Sequence, residues 1–277
     1  MSRVAHLGPR GTYTEAAALG WDPDAELLPL PSVAAAAAAV ERGEADAAVC
    51  AIENSIEGSV RETVDLLLQE DTTLLIRGEI VIGIRHALVA AAGVNPAEAS
   101  VVYSHPQALA QCRGRLAELA PKAQPVAALS TAGAIESAVA EPGTLAVGNT
   151  LAAAIYGATV YAEDIADAPG NATRFAILAP EDHPPSGDDK TSIAFTTYHD
   201  RPGTLVSVMQ EFAARGLNLT HIESRPTRQA LGTYVFLLDL QGHRLDDLVR
   251  DALASVEELT MWLRVLGSYP RWTAGAA

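Results

Sequence analysis

The stretch SVVYSHPQALAQCRGRLAEL (100–119) decides the predicted fold class, because its character changes within one short segment. It opens with residues that favour a strand, passes through a polar turn and continues with residues that favour a helix. The same succession follows in QPVAALSTAGAIESAVAE (124–141) and in GTLAVGNTLAAAIYG (143–157). Strands that alternate with helices are typical of an α/β architecture, so we expect sheets that are largely parallel.

Upstream segments extend this alternation over residues 1–178. RVAHLG (3–8) and ADAAVCAIENS (45–55) are predicted strands, and TLLIRGEIVIGIRHALVAA (73–91) fits two consecutive strands. Between the first two lies the helical segment SVAAAAAAVERGE (32–44), with Ser32 as its expected N-cap and Gly43 as its expected stop.

The pattern changes after APEDHPPSGDDKTS (179–192), which is rich in Pro, Gly, Asp and Ser and is typical of a linker. Beyond it we predict the order βαββαβ, a ferredoxin-like domain, with RQA (228–230) joining its second and third strands. The expected domains are therefore residues 1–179, a linker over 180–191 and a second domain over 192–270.

Composition excludes several classes of function. The formal charge of −15 disfavours nucleic acid and anionic membranes as partners, because both require a basic surface. The N-terminal residues lack a signal-peptide pattern, and the longest apolar run, SVAAAAAAV (32–40), is too short to span a bilayer. Cys50 and Cys112 lack metal or disulfide spacing, and the seven histidines are scattered. We therefore expect a cytoplasmic protein without a metal.

Polar residues concentrate in the predicted turns, where α/β folds bind their ligands. They form six clusters: residues 8–12, 53–55, 104–107, 130–131, 148–150 and 171–174. Ordinary caps and turns would explain any one cluster, but they explain the set less well. Asn171-Ala172-Thr173 is also a legal N-glycosylation acceptor, which we treat as a coincidence in a cytoplasmic protein.

The chain resembles the prephenate dehydratase family with a C-terminal ACT regulatory domain. The resemblance rests on segments in the family's order: GPRGTYTEAA (8–17), IENSIEGSV (52–60), SHPQALAQC (104–112), STAGAI (130–135), AVGNTLAAAIYG (146–157), NATRF (171–175), RPGTLVSV (201–208) and ESRP (223–226). It implies two α/β lobes similar to periplasmic binding proteins. It also implies conversion of prephenate to phenylpyruvate, carbon dioxide and water without a cofactor, in phenylalanine biosynthesis. Ala51 and Thr204 depart from the proline and the alanine usual at these positions.

The resemblance assigns the catalytic roles to four neutral side chains: Thr173, Asn54, Ser104 and Gln111. Chemistry agrees, because aromatisation drives the reaction and a neutral donor can stabilise the departing hydroxide. Candidate substrate contacts are Thr12, Ser55, Ser130, Thr131, Asn171 and Arg174. Two alternatives stay open: Arg174 could pair with Glu53 or Glu57 instead, and Thr12 could be a simple N-cap. For His105 we favour a structural role at a helix start, and for Cys112 a place in the core.

In the second domain the resemblance implies an effector site for L-phenylalanine between two ACT domains of a dimer. Its expected neighbourhood is Gly203, Thr204, Leu205, Asn218, Leu219, Glu223 and Ser224. A helix that begins near Pro202 would point free N–H groups at an amino-acid carboxylate. ESRP could instead shape only the interface. We expect a homodimer or a homotetramer.

Two other functions share most of these features. A cytoplasmic amino-acid sensor would need no donor aimed at a leaving hydroxide, and an arogenate dehydratase would differ in the group that recognises the side chain of the substrate. Because the motifs begin at residue 8, we expect a monofunctional enzyme.

Overall fold

The computed structural model describes residues 1–198, 202–227 and 234–273. The chain divides into two compact units, the first formed by Met1–Val64 and Ile80–Phe175 and the second by Asp65–Glu79 and Ala176–Ala277. Two predicted features, Arg201 of the RPGTLVSV motif and the RQA connection (228–230), lie outside the described residues.

The first unit opens with an α/β sheet. Its elements are β1 (Arg3–Leu7), α1 (Tyr13–Trp21), β2 (Glu26–Leu30), α2 (Val33–Glu41), β3 (Ala47–Asn54), β4 (Gly58–Ser59), α3 (Arg61–Leu67), β5 (Leu75–Gly83) and, much later in the chain, β11 (Ala172–Ala179). Two of these strands, β5 and β11, and the helix α3 continue into the second unit. The strand order is β2-β1-β3-β11-β5, with β4 paired to β3. Strand β1 is parallel to both of its neighbours. The late strand β11 thus lies beside β3 in the middle of the sheet.

A second sheet is built from the segment between β5 and β11. Its elements are β6 (Ala87–Ala90), β7 (Val101–Ser104), α4 (Pro106–Gln111), α5 (Arg113–Leu119), β8 (Gln124–Ala127), α6 (Thr131–Ala140), β9 (Thr144–Gly148), α7 (Thr150–Tyr156) and β10 (Thr159–Ala162), in the strand order β10-β6-β9-β7-β8. Strands β6 and β9 are buried along their whole length, as expected when both faces of a sheet are covered. The two sheets confirm the predicted two-lobed α/β region.

The expectation of largely parallel strands is wrong for part of the second sheet. Strand β7 is parallel to β8 and β9, but β6 is antiparallel to both β9 and β10. The reason is connectivity, because parallel pairing follows from βαβ units. Strand β6 arrives directly from the first sheet and β10 leads back to it, so neither strand belongs to such a unit.

The helix boundaries follow local chemistry. The Ser32 side chain accepts a hydrogen bond from Ala35 N and caps α2, and Gly43 adopts a φ of +70° just beyond the end of that helix. Ser130 and Asn149 cap α6 and α7 in the same way. The predicted cap and stop of the alanine-rich helix are therefore confirmed.

The second unit contains an antiparallel sheet with two helices. Its elements are β12 (Asp189–Thr197), α8 (Thr204–Ala214), β13 (Leu219–Pro226), β14 (Tyr234–Gln241), α9 (Asp247–Leu259) and β15 (Thr260–Pro270), in the strand order β13-β14-β12-β15. This confirms the predicted βαββαβ order. Its core includes Phe195, Phe212 and Leu240. Strand β12 begins at Asp189, within the range predicted as a linker.

Candidate active site

The polar residues of the first unit meet where the chain passes between its two sheets. One crossover is residues 84–86, between β5 and β6, and the other is residues 163–171, between β10 and β11. Backbone hydrogen bonds join the two crossovers, from Ile84 N to Asn171 O at 2.8 Å and from Ile165 N to His86 O at 2.9 Å. Side chains on these segments therefore have well-defined positions.

Four of the predicted site residues form one hydrogen-bonded chain. Asn54 Nδ2, at the end of β3, donates to Thr173 Oγ1 at 2.8 Å and to Asn171 Oδ1 at 2.7 Å. Asn171 Nδ2 donates to Gln111 Oε1 at 2.9 Å. We name this set, Thr173, Asn54, Asn171 and Gln111, the amide network. Its members come from β3, α4, the last residue of the crossover 163–171 and the start of β11.

The backbone determines the direction of the hydrogen bonds in the amide network. Asn54 Oδ1 accepts from the N–H groups of Ile56 at 3.0 Å and Glu57 at 3.1 Å, so the Asn54 NH₂ group must face Thr173. An amide NH₂ group can only donate, and Thr173 Oγ1 is therefore the acceptor. The hydroxyl hydrogen of this buried threonine has no protein acceptor within the described residues. Thr173 is left with one donor to offer.

The same logic applies to Gln111. Asn171 Oδ1 is occupied by Asn54, so Asn171 donates through its NH₂ group and Gln111 must present its oxygen. Within residues 1–198, 202–227 and 234–273, no partner is found for the Gln111 NH₂ group. Thr173 and Gln111 are thus two neutral donors held by one network.

Sequence reasoning missed two residues at this site, His86 and Tyr13. His86 Nε2 lies 3.1 Å from Gln111 Oε1, and the Tyr13 hydroxyl lies 3.2 Å from His86 Nδ1. Burial lowers the pKa of His86, although its hydrogen bond with Gln111 acts in the opposite direction, and burial raises the pKa of Tyr13. Both groups are therefore neutral. The sequence signal that could have identified His86 was its position between two consecutive apolar strands.

Ser104 stands apart from the amide network. Its side chain is fully buried, and its hydroxyl donates to Val147 O at 2.6 Å. That hydrogen bond joins β7 to β9 and uses the only hydrogen that the hydroxyl has. The described residues contain no hydrogen bond between Ser104 and the network.

Several predicted substrate contacts are caps or turn residues. Thr12 Oγ1 accepts from Glu15 N at 3.2 Å and donates to Leu7 O at 3.0 Å, and Ser130 Oγ accepts from Gly133 N at 3.0 Å. Thr131 is the first residue of α6. Ser55 Oγ accepts from Ala172 N at 3.0 Å, beside the network. The contacts of Thr12 are therefore those expected of an N-cap residue.

Arg174 forms an ion pair with Glu53. Arg174 Nε lies 3.0 Å from Glu53 Oε2, with the two side chains 13% and 34% exposed. The pair joins the neighbouring strands β11 and β3, one residue away from Thr173 and Asn54 respectively. The structure therefore contains the alternative in which Arg174 pairs with Glu53. This ion pair offsets the negative charge of Glu53 next to the network.

His105 and Cys112 have structural places. The His105 ring is the cap of α4 and accepts from Gln107 N at 3.4 Å, and Cys112 is fully buried in the core of the second sheet. Burial raises the pKa of the Cys112 thiol to about 12, so it is a protonated core residue.

Position 11 requires a glycine, both for its backbone conformation and for its close contact with helix α7. Gly11 has a φ of +85°, and a Cβ atom there would lie 2.7 Å from Cβ of Ala152 in α7. Its carbonyl accepts from Asn149 Nδ2 at 2.9 Å. Gly43 has a φ of +70° but open space around it, which makes it a matched control.

Gly11→Ala should therefore destabilise the protein more than Gly43→Ala, by about 1–3 kcal/mol, because only the first substitution adds a steric clash to the backbone strain. Thermal unfolding of both variants would measure the difference. Equal losses of stability would show that α7 moves away at no cost.

The predicted effector residues lie at the start of α8 and along β13. Gly203 has a φ of +92° and precedes Thr204, the first residue of α8. Asn218 is exposed next to β13, and its carbonyl accepts from Gln241 N at 2.9 Å. The remaining members are Leu205 in α8 and Leu219, Glu223 and Ser224 in β13. Glu223 lies 3.8 Å from His221 and 4.0 Å from Arg225.

Together the fold and the site define a class: an α/β enzyme region followed by a βαββαβ domain of the ACT type. Residues 4–183 match the prephenate dehydratase family and residues 192–258 match the ACT domain family. The chain belongs to the prephenate dehydratase family.

Individual proteins agree with this assignment. Prephenate dehydratase of Mycolicibacterium vanbaalenii is 39% identical, with 98% of this chain and 91% of that protein covered. Arogenate dehydratase/prephenate dehydratase 2 of Arabidopsis thaliana is 42% identical, with 97% and 72% covered. The crystal structure of prephenate dehydratase from Arthrobacter aurescens in complex with L-Phe is 39% identical, with a TM-score of 0.88 over 97% of this chain and 90% of that one.

The chain is accordingly a lyase that converts prephenate to phenylpyruvate, carbon dioxide and water. This confirms the predicted function over the sensor and arogenate alternatives. None of the helices in the described residues is long and apolar enough to span a membrane.

Proposed function

We propose that the hydroxyl of Thr173 donates a hydrogen bond to the C4 hydroxyl of prephenate as this group leaves. The observation that carries the proposal is the direction of the Asn54–Thr173 hydrogen bond, which leaves the threonine hydrogen free to donate. The bond from the ring to its carboxylate breaks, and its electron pair completes the aromatic ring. The C4–O bond breaks with its electrons on oxygen, and one proton from solvent turns the departing hydroxide into water.

The charge on the leaving oxygen develops only in the transition state, so a donor aimed at it accelerates the chemical step. The Gln111 NH₂ group is the second donor, and Asn54 and Asn171 hold the two donors in place. All four side chains are neutral, and a neutral site does not hold back the departing carboxylate by charge. Ser104, whose hydrogen is given to Val147 O, is assigned to the support of β7 and not to contact with substrate.

The two carboxylates of the substrate require positive or N–H partners. We assign them to the start of α1 at Thr12, the start of α6 at Ser130 and Thr131, and the residues beside the network, Ser55, Asn171 and Arg174. Helix N-termini bind anions through free N–H groups, which supports the first two positions. Arg174 is held by Glu53, so its guanidinium is oriented by that carboxylate beside the network.

The direct test of this function is the formation of phenylpyruvate by the purified protein, with prephenate and arogenate offered separately. Turnover of prephenate at a much higher kcat/KM than arogenate is expected. A protein that binds prephenate without turning it over would behave as the sensor alternative predicts and would contradict the proposal.

Residues 192–270, which belong to the second unit, are proposed as an ACT regulatory domain, reached through the linker 180–191 from a catalytic region of residues 1–179. L-phenylalanine is proposed as its effector and feedback inhibitor, supported by the L-Phe complex of the Arthrobacter aurescens relative. We also propose a homodimer or homotetramer. Strand β13 is at the edge of its sheet, and Ile222 on it and Val206 on α8 are exposed apolar side chains.

A cytoplasmic location is proposed from composition. Both cysteines are buried and unpaired, as is common in a reducing compartment. The acidic net charge of −15 is consistent with a protein that binds neither nucleic acid nor an anionic membrane.

Asn218→Ala should weaken the response to L-phenylalanine without changing the rate in its absence. The exposed amide is proposed to contact the amino group of the effector, and a coupling of about 1–3 kcal/mol corresponds to a change of about 5–150-fold in apparent affinity. Inhibition curves with increasing phenylalanine measure it. Gln210→Ala, an exposed amide on α8, is the control. Identical curves for both variants would remove Asn218 from the effector site.

A further inference from the structure

We propose that His86 is a positioning residue, which holds the Gln111 side chain with its NH₂ group turned toward the substrate. The proposal rests on the donor role proposed for Gln111 and extends it to a histidine on the crossover between β5 and β6.

Gln111 Oε1 lies between two nitrogen atoms, Asn171 Nδ2 at 2.9 Å and His86 Nε2 at 3.1 Å. Asn171 is a donor here, because Asn54 already occupies its oxygen. Since the Gln111 atom is an oxygen, His86 Nε2 must carry the hydrogen. His86 is buried and neutral, so its Nδ1 carries none and is an acceptor.

Tyr13 completes this arrangement from α1. Its hydroxyl lies 3.2 Å from His86 Nδ1 and 2.5 Å from Arg85 O, two acceptors that share the single hydrogen. The rings of Tyr13 and His86 meet edge to face, with centroids 5.9 Å apart. The backbone of His86 is also held, because its carbonyl accepts from Ile165 N at 2.9 Å. The imidazole is therefore fixed in tautomer and in position.

The consequence concerns the orientation of one amide. Without His86 only one donor faces Gln111 Oε1, and a glutamine side chain with one hydrogen bond can rotate and exchange its oxygen with its nitrogen. An amide that presents oxygen to the substrate would repel the departing hydroxide. Two donors on one oxygen prevent this exchange. Misplacement of a catalytic donor by a small distance can cost about 10²-fold in rate.

A double-mutant cycle with His86→Met and Gln111→Met tests the proposal. We expect His86→Met to lower kcat by about 10²-fold in the wild-type background, with a smaller change in KM. In the Gln111→Met background the same substitution should change kcat by less than about threefold, because there is no amide left to position. Thermal unfolding of every variant distinguishes a loss of activity from a loss of stability. His6→Met is the matched control, because His6 is also buried.

His86→Gln provides the rescue. A glutamine amide nitrogen reaches about as far as Nε2, so this variant should recover most of the kcat that His86→Met loses. If His86→Met does not fold, Tyr13→Phe, which frees Nδ1, takes its place in the cycle.

Three results would overturn the inference. One is an unchanged kcat of His86→Met, the second is the same loss of kcat in both backgrounds, and the third is a His86→Gln variant as slow as His86→Met. A Gln111→Met variant with full kcat would instead overturn the proposed role of Gln111, so the two failures are distinguishable.

Discussion

Replacing Thr173 by valine is expected to lower kcat by about 10²–10³-fold, or roughly 3–4 kcal/mol of transition-state stabilisation. Valine has nearly the shape of threonine and removes only the hydroxyl, which accepts from Asn54 and is proposed to donate to the leaving group. KM should change little, since the hydrogen bond strengthens only as charge develops on the departing oxygen. Steady-state rates of phenylpyruvate formation measure both constants.

The substitution also leaves the Asn54 NH₂ group with one acceptor fewer, which carries a loss of stability of about 1–3 kcal/mol. Thr63→Val is the matched control, because Thr63 is fully buried in the same unit and donates to Ala51 O at 2.6 Å. The control should lose stability to a similar degree and keep its kcat. An equal loss of kcat in the Thr173 and Thr63 variants would show that loss of stability, and not loss of a donor, explains the result.

Lys190→Met is expected to destabilise the second unit by about 3–5 kcal/mol. Lys190 Nζ lies 2.9 Å and 3.0 Å from the two carboxylate oxygens of Glu79, and the side chains are 13% and 3% exposed. Removal of the ammonium would leave the Glu79 carboxylate buried next to the Trp272 N–H, which donates to it at 3.1 Å. A shift of the chemical denaturation midpoint measures the effect.

Two further variants sharpen this prediction. Lys122→Met breaks a Lys–Glu pair with Glu98 whose side chains are 60% and 64% exposed, and it should change stability by less than about 1 kcal/mol. Glu79→Gln combined with Lys190→Met removes the buried negative charge and keeps an acceptor for Trp272, so most of the lost stability should return. A double variant no more stable than Lys190→Met would contradict the electrostatic explanation.

Local sequence patterns predicted the elements of the fold well. The βαββαβ order of the second unit follows from two patterns of apolar residues: they alternate with polar residues in strands such as β12, and they recur at the helical period of about 3.6 residues in α8 and α9. The cap at Ser32 and the stop at Gly43 are determined by residues next to the helix that they bound. The antiparallel placement of β6 was not predictable in this way, because strand direction depends on which sheet the chain has just left.

The types of residue at the candidate site were predictable from the sequence, but the contacts between those residues were less predictable. Asn54 and Asn171 are separated by 117 positions, and their hydrogen bond depends on the crossover that returns the chain to the first sheet. The same reason explains why His86 was missed, since only the folded chain brings it to Gln111. Ser104 has the residue type of a donor, but in the fold its hydrogen is used by Val147 O.

The proposed donor role of Thr173 is best tested by kcat on prephenate for Thr173→Ser beside Thr173→Val, in preparations shown to be folded. Serine keeps the hydroxyl and loses a methyl group, whereas valine keeps the shape and loses the hydroxyl. We expect a kcat within about tenfold of wild type for the serine variant and about 10²–10³-fold below wild type for the valine variant. A valine variant as fast as the serine variant would show that the reaction does not depend on the hydroxyl of Thr173.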